Sequence, residues 1–314
     1  MGYIPKKQAF SARINAVTLG TGARAVTIGG GNALPFYSFD APVEHRPIVA
    51  VEVSDRGLEG VLSPGVRAYY AGCADVVEMA RRAAEMPGAS AVCLNLDAAD
   101  PNAENAPIPE CAALAKAVAE AIDAPLIVRG SKNADKDAEL LPAVAEALQG
   151  RNALILSAVE DNYKAVGAAA ALAYNHKVGA ESAVDVNLAK QLNVLLSQLG
   201  VGAENTCMQL GSAAAGYGFE YLASTMDRVR AAALMQNDAQ LQMPIVTPVS
   251  EETWMVKETL VDEAEAPEWG PLEERGIEME ICTASACLIS GSDLVIMRHP
   301  AAVAAIAAFI DSLV

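Results

Sequence analysis

What this 314-residue chain has little of narrows its chemistry first. Aromatic residues make up only 5% of it and apolar residues 53%, so the core must be aliphatic, built from Ala, Val, Leu and Ile. Basic residues are outnumbered, 22 Lys and Arg against 39 Asp and Glu, which leaves a formal net charge of −17. That sign repels a phosphate backbone and argues against nucleic acid as a partner. It suits the cytoplasm and partners that carry basic patches. No apolar run reaches the roughly 18 residues of a membrane span, so no membrane partner is expected. The opening Met1-Gly2-Tyr3-Ile4-Pro5-Lys6-Lys7 lacks the apolar stretch of a signal peptide, and Lys6 stands where N-myristoylation needs Ser or Thr.

Metal-binding patterns are scarce too. The six cysteines, Cys73, Cys93, Cys111, Cys207, Cys282 and Cys287, form no Cys-x-x-Cys pair. This argues against a zinc ribbon or a ferredoxin-type cluster within the chain. Cys93 and Cys207 lie inside apolar runs and read as buried free thiols in a reducing compartment. The three histidines, His45, His176 and His299, fall in separate units with no His-x-x-x-His spacing, which disfavours a three-His zinc site.

What is present is a rhythm. Residues 13–31 read as a small hairpin turning at Gly20-Thr21-Gly22, and Gly29-Gly30-Gly31 as the loop that leaves it. Eight short apolar runs follow, each suited to a buried parallel strand: Ile48–Val53, Ala91–Leu96, Pro125–Arg129, Ala153–Ser157, Val178–Ser182, Asn205–Leu210, Pro244–Thr247 and Asp293–Met297. Helical patterns separate them, notably 107–122, 185–199 with Gly200 as its stop, and a last helix from Pro300. Pro142 interrupts one helical pattern, so that helix is expected to kink or to start late. Segment 250–275 reads as an extended loop forming a lip for interaction. Eight strand–helix units predict a TIM (β/α)8 barrel over 46–314, with the hairpin and lead-in over 1–45. A doubly wound sheet is the alternative, but the dinucleotide fingerprint expected at its first crossover is missing.

The most unusual loop is the sixth. Asn205–Leu210 is followed by Gly211-Ser212-Ala213-Ala214-Ala215-Gly216-Tyr217-Gly218 and a long helix. Gly211 and Gly216 have Walker A spacing, but Tyr217 and Gly218 stand where Lys and Ser/Thr belong. Gly216-Tyr217-Gly218 begins a Gly-x-Gly-x-x-Gly pattern that Tyr221 breaks. What remains is a loop trimmed for close approach of a large flat ligand, or for tight packing.

In a barrel, functional groups gather at the carboxyl ends of the strands. The candidates there are Glu52, Ser54, Asn95, Asp97, Arg129, Asn162, Ser182, Asp185, Asn187, Gln209, Ser212, Thr247, Arg298 and His299. The set is rich in amides and hydroxyls, which suits a neutral ligand edged with amides. His299 reads either as helix entry or as a polar contact at the mouth. Asp161 and Asp185 each read as a helix N-cap, worth about 1 kcal/mol. Asp185 and Asn187 are alternatively ligand-facing.

Several motifs in order carry a family resemblance. They are Val26-Thr27-Ile28-Gly29-Gly30, Leu34-Pro35-Phe36, Asp161-Asn162-Tyr163-Lys164, the run from Asn187 to Asn193, Gly216-Tyr217-Gly218-Phe219-Glu220-Tyr221 and Met297-Arg298-His299-Pro300. Together they resemble the small (delta) subunit of the corrinoid iron–sulfur protein of the acetyl-CoA decarbonylase/synthase (CO dehydrogenase/acetyl-CoA synthase) system. The one departure is Ser212-Ala213-Ala214-Ala215, where relatives are expected to carry more Thr and Gly. The resemblance implies a TIM barrel in a one-to-one heterodimer with a large corrinoid iron–sulfur subunit. That partner would hold the iron–sulfur cluster and share the corrinoid, which the barrel mouth covers. A methyl group would come from a methyl-pterin through a separate methyltransferase and pass to acetyl-CoA synthase, in the reductive acetyl-CoA (Wood–Ljungdahl) pathway. On this reading the corrinoid-binding candidates are Asn162, Asp185, Asn187, Gly211, Ser212, Gly216, Tyr217, Gly218, Arg298 and His299. The alternative is a stand-alone pterin-dependent corrinoid methyltransferase on a similar barrel, with Asp185 and Asn187 on the pterin.

Overall fold

A computed structural model describes residues 6–314, so the leader reading of residues 1–5 lies outside it. The chain opens with strands β1 (Ala16–Leu19) and β2 (Val26–Gly29), paired antiparallel in the register Ala16–Gly29 to Leu19–Val26. Their alternation puts Val17, Leu19 and Ile28 on one face, and all three are fully buried.

The barrel strands are β3 (Ile48–Ser54), β4 (Ala89–Asn95), β5 (Leu126–Arg129), β6 (Leu154–Ala158), β7 (Lys177–Glu181), β8 (Thr206–Gln209), β9 (Val246–Pro248) and β10 (Leu294–Met297). Every neighbouring pair in the sheet is parallel, and β3 lies beside β10, as closure requires. The remaining seam, β8 to β9, is held by the bridge Met208–Ile245, with the Met208 N–H donating to Pro244 O at 2.8 Å. The eight apolar runs are thus the eight strands, and the (β/α)8 barrel is the fold.

The helices are α1 (Pro64–Tyr69), α2 (Val76–Ala84), α3 (Ile108–Ala121), α4 (Ala134–Ala147), α5 (Tyr163–Gly167), α6 (Val186–Leu199), α7 (Phe219–Met235), α8 (Val249–Thr253), α9 (Leu272–Ser290) and α10 (Pro300–Leu313). A π-helical segment, Ala168–Ala173, prolongs α5. Among the described residues no helix is long and apolar enough to cross a membrane.

Two apolar layers result. The outer one lies between sheet and helices and includes Val51, Val128, Leu192 and Ile306. The inner one fills the barrel, where Ile48, Ala50, Ile127, Leu154 and Leu294 meet Val17, Leu19 and Ile28 of the hairpin. The hairpin therefore plugs the amino-terminal end of the barrel. Asn152, just before β6, ties it down by donating from Nδ2 to Thr18 O and Gly20 O, both at 2.9 Å.

Two local expectations are corrected, and of the two offered for Pro142 the late start is set aside. Pro142 does not delay α4, which starts at Ala134 because Asn133 Oδ1 accepts from Lys136 N at 3.0 Å. Buried Asp137 then fixes that first turn by accepting from Ser131 N at 2.7 Å and Lys132 N at 3.1 Å. Asp161 does not cap α5. The helix starts at Tyr163, and the preceding Asn162 turns its Oδ1 back to Val159 N at 2.8 Å. Segment 250–275 is not an extended loop. It contains α8 and two single-turn 3₁₀ helices, Lys257–Thr259 and Pro267–Trp269. Trp269 lies between the Lys257 and Arg275 cations, 5.6 and 5.7 Å from its ring centre.

Candidate functional site

At the carboxyl ends of the strands the apolar interior gives way to a charged and amide-lined mouth. Glu52 at the end of β3 is 4% exposed and is held from two sides. Arg298, just past β10, donates Nε to its Oε1 at 2.6 Å, and Asn95 of β4 donates Nδ2 to its Oε2 at 3.0 Å. Burial alone would raise the Glu52 carboxyl, but Arg298, together with Ser250 and Arg129, outweighs it and holds the group below the usual carboxylate range. Glu52 is therefore favoured as an anion, paired with the Arg298 cation.

A second cluster divides the mouth. Arg129, at the end of β5, and Lys132 both pair with Glu251 of α8. On one side of this divider a hollow of about 220 Å³ lies above β5, β6 and β7, lined by Ser157, Asn162 and Glu181 among others. On the other side a hollow of about 300 Å³ lies above β3, β4 and β10. Ser157 Oγ, on the wall of the first hollow, donates to Gln209 Oε1 of β8 at 2.5 Å. Burial raises the Glu181 carboxyl, against the pull of Ser157 and Arg129.

Behind Arg298 sits Glu280 of α9, fully buried. It accepts from the backbone N–H of Arg298 at 2.6 Å and of His299 at 3.1 Å. Burial nevertheless pushes it up to about 7. His299 is 5% exposed and stacks on Trp254, ring centres 5.8 Å apart. Its Nδ1 accepts from Ala301 N at 3.1 Å, so of its two readings helix entry is the one built. Its Nε2 lies 3.2 Å from Glu273 Oε1. Burial lowers the imidazole pKa, with Glu273 opposing.

The sixth βα loop takes the shape its glycines require, with positive φ at Gly211 (+96°), Gly216 (+85°) and Gly218 (+84°). It is pinned by Ala215 N donating to Thr283 Oγ1 of α9 at 3.0 Å, and by the Tyr217 hydroxyl donating to Glu258. Tyr217 and Tyr221 remain 44% and 68% exposed. With Val184, Ala213 and Arg228 they line an open groove of about 530 Å³. The hydroxyls of Ser182 and Ser212, just past β7 and β8, are buried without a partner among the described residues.

The structure thus brings Glu52, Asn95, Arg129, Asn162, Gln209 and Arg298 together around the mouth. Asp185 and Asn187 stand apart and exposed on the start of α6, where Asp185 Oδ1 accepts from Asn187 N at 2.7 Å and Leu188 N at 3.1 Å. Thr247 does not reach the mouth: its Oγ1 is 2.9 Å from Ser292 Oγ, at the amino end of β10. Ser157 and Glu181 were missed although both lie within the expected strands, where alternation would have marked them. Lys132, Glu251 and Glu280 lie outside the strands and left no such mark.

The sequence of residues 16–307 matches the family model described as the CO dehydrogenase/acetyl-CoA synthase delta subunit. The chain belongs to that family. A relative named acetyl-CoA decarbonylase/synthase complex subunit delta, from Archaeoglobus fulgidus, is 36% identical over 96% of this chain and 68% of its own length. The subunit delta 2 of Methanosarcina acetivorans is 36% identical over 91% of this chain and 65% of its own, and the Methanothermobacter thermautotrophicus subunit 34% over 95% and 75%. This delta-family chain therefore spans about two thirds of the length of several curated relatives. Dihydropteroate synthases share the fold alone. One from Xanthomonas albilineans aligns with a TM-score of 0.55 at 14% identity, covering 95% of this chain and 98% of that one. One from Yersinia pestis gives 0.56 at 13%, covering 85% and 93%.

Proposed function

We propose that this chain is the small subunit of a corrinoid iron–sulfur protein in an acetyl-CoA decarbonylase/synthase system, and that its barrel mouth covers the corrinoid. The large subunit would carry the iron–sulfur cluster and share the corrinoid. The observation that carries this reading is the sixth loop: a run of small residues at the mouth, with Tyr217 and Tyr221 as its exposed aromatics. A corrinoid is broad, flat and edged with amides. A trimmed loop lets such a ring come close, and the unpartnered hydroxyls of Ser182 and Ser212 match amide edges. The residues present therefore fit the group.

When bound, the corrinoid supplies a cobalt that accepts and releases a methyl group. The chain's own part is to bind and to shield. Gly211 to Gly218 would allow close approach, Tyr217 would offer its exposed ring to the macrocycle, and Asn162 would offer an amide from the first hollow. Asp185, Asn187 and Arg298 are further candidate contacts, whereas His299 acts from behind by fixing the start of α10. The mouth excludes water while it covers the ring, and it must withdraw when the methyltransferase or acetyl-CoA synthase docks.

The test is anaerobic co-expression with a large corrinoid subunit, followed by purification and a visible spectrum. The expected product is a one-to-one complex with corrinoid absorption. A colourless chain that by itself moves a methyl group from a methyl-pterin to added corrinoid would overturn the reading in favour of a stand-alone methyltransferase.

A further inference from the structure

The second hollow of the mouth, above β3, β4 and β10, lies across the barrel from the sixth loop and shares only Arg298 with the corrinoid contacts proposed above. Its volume of about 300 Å³ sits at the lower end of small-molecule sites. Its polar groups divide unequally. The deep carboxylates are already engaged: Glu52 by Arg298 and Asn95, Asp97 by the Ser54 hydroxyl at 2.7 Å, and Glu251 by Arg129 and Lys132. The donors are not. Tyr70 lines the hollow and is only 3% exposed, yet its hydroxyl has no hydrogen-bond partner among the described residues. Arg56 Nε likewise has no partner among the described residues, although the terminal nitrogen of that guanidinium pairs with Glu104. Arg298 binds Glu52 through Nε and Arg129 binds Glu251 through one terminal nitrogen, so each guanidinium has further N–H groups beyond these bonds.

A buried donor without an acceptor costs stability, and a ligand that supplies the acceptor recovers it. The ligand this hollow fits is therefore rich in acceptors. The cations Arg56, Arg129, Lys132 and Arg298 are matched by Glu52, Glu59, Asp97 and Glu251, so a multiply charged anion is disfavoured far more than a single carboxylate that meets neutral donors as well. The rest of the wall is apolar, with Val66 and Met79 buried and Met255 67% exposed at the rim. We propose that this hollow binds a small monocarboxylate, its carboxylate on the Tyr70 hydroxyl and the arginine N–H groups and its short apolar tail against Met79 and Met255.

The proposal does not depend on the corrinoid reading, and its test needs no corrinoid. The full chain is titrated by calorimetry with butyrate, butyramide and inorganic phosphate. Butyrate is expected to saturate a single site, with butyramide and phosphate each about tenfold weaker or more. Tyr70→Phe, which keeps the ring and removes the donor, should weaken butyrate about tenfold while leaving the melting temperature of the free chain equal or higher. Met255→Ala, at the exposed rim, should weaken butyrate while sparing acetate. Absence of saturable binding, binding of phosphate or butyramide as tight as butyrate, or an unchanged butyrate affinity in Tyr70→Phe would each overturn the proposal.

Discussion

At the base of the barrel, Val17, Leu19 and Ile28 are sealed against Ile48, Ile127 and Leu294, whereas at the mouth the same sheet ends in Glu52, Asn95, Arg129 and Glu181. The base is apolar and is plugged by a hairpin that the (β/α)8 pattern itself does not need. The mouth is buried too, but by charges that neutralise one another and by amides and hydroxyls, some without partners. Stability is concentrated where packing is dry. Binding capacity is concentrated where polar groups are held in place at a cost to stability.

The sharpest way to break this contrast is to damage the base and look at the mouth. Leu19→Ala leaves a cavity in the inner core and should destabilise the chain by about 4 kcal/mol, read from urea unfolding. Corrinoid retention in the complex should be unchanged at temperatures where the variant is folded. Loss of corrinoid from a folded Leu19→Ala complex would show that the two ends are not separate.

The next effect is a pH dependence that belongs to the mouth alone. Glu280 is pushed up from 4.5 to about 7 by burial, so the folded state holds its proton more tightly than the unfolded one. Its contribution is complete below pH 4.5 and is lost as the pH rises through about 7. Glu280→Gln stays neutral throughout. Between pH 4.5 and 7 the wild type should lose about 3 kcal/mol relative to this variant, measured by urea unfolding at each pH. Parallel profiles would mean that the backbone N–H groups of Arg298 and His299 keep Glu280 ionised at neutral pH.

The barrel was legible because every strand is buried on both faces and so reads as a short apolar run between helical patterns. The strand-end rule then found Glu52, Asn95, Arg129, Gln209 and Arg298. It missed groups delivered from elsewhere: Glu251 from α8, Glu280 from α9 and Tyr70 beyond α1. None of these lies in an apolar strand, and only the closure of the barrel brings them to the mouth. Asp161 and Asn162 show the limit of local reasoning. Both are good capping residues, and a one-residue shift of the helix start decides which one turns inward. Segment 250–275 misled for a related reason, since its order comes from Trp254 on His299 and from Trp269 between two cations rather than from any periodic pattern.

The smallest expected effects separate two residues at the mouth itself. Asn162 is 3% exposed and its Oδ1 holds the Val159 turn, so Asn162→Ala should cost about 1 kcal/mol of stability in addition to any loss of corrinoid. Tyr217 is exposed, and its hydroxyl bonds Glu258 at the rim. Tyr217→Ala should therefore leave the melting temperature of the free chain unchanged while lowering the corrinoid content of the purified complex. Melting curves and visible spectra of the two variants, taken side by side, test this directly. If Tyr217→Ala melts lower and keeps its full corrinoid content, the tyrosine serves only to tie the sixth loop to Glu258. The exposed aromatic at the mouth would then belong with the base, as a packing element.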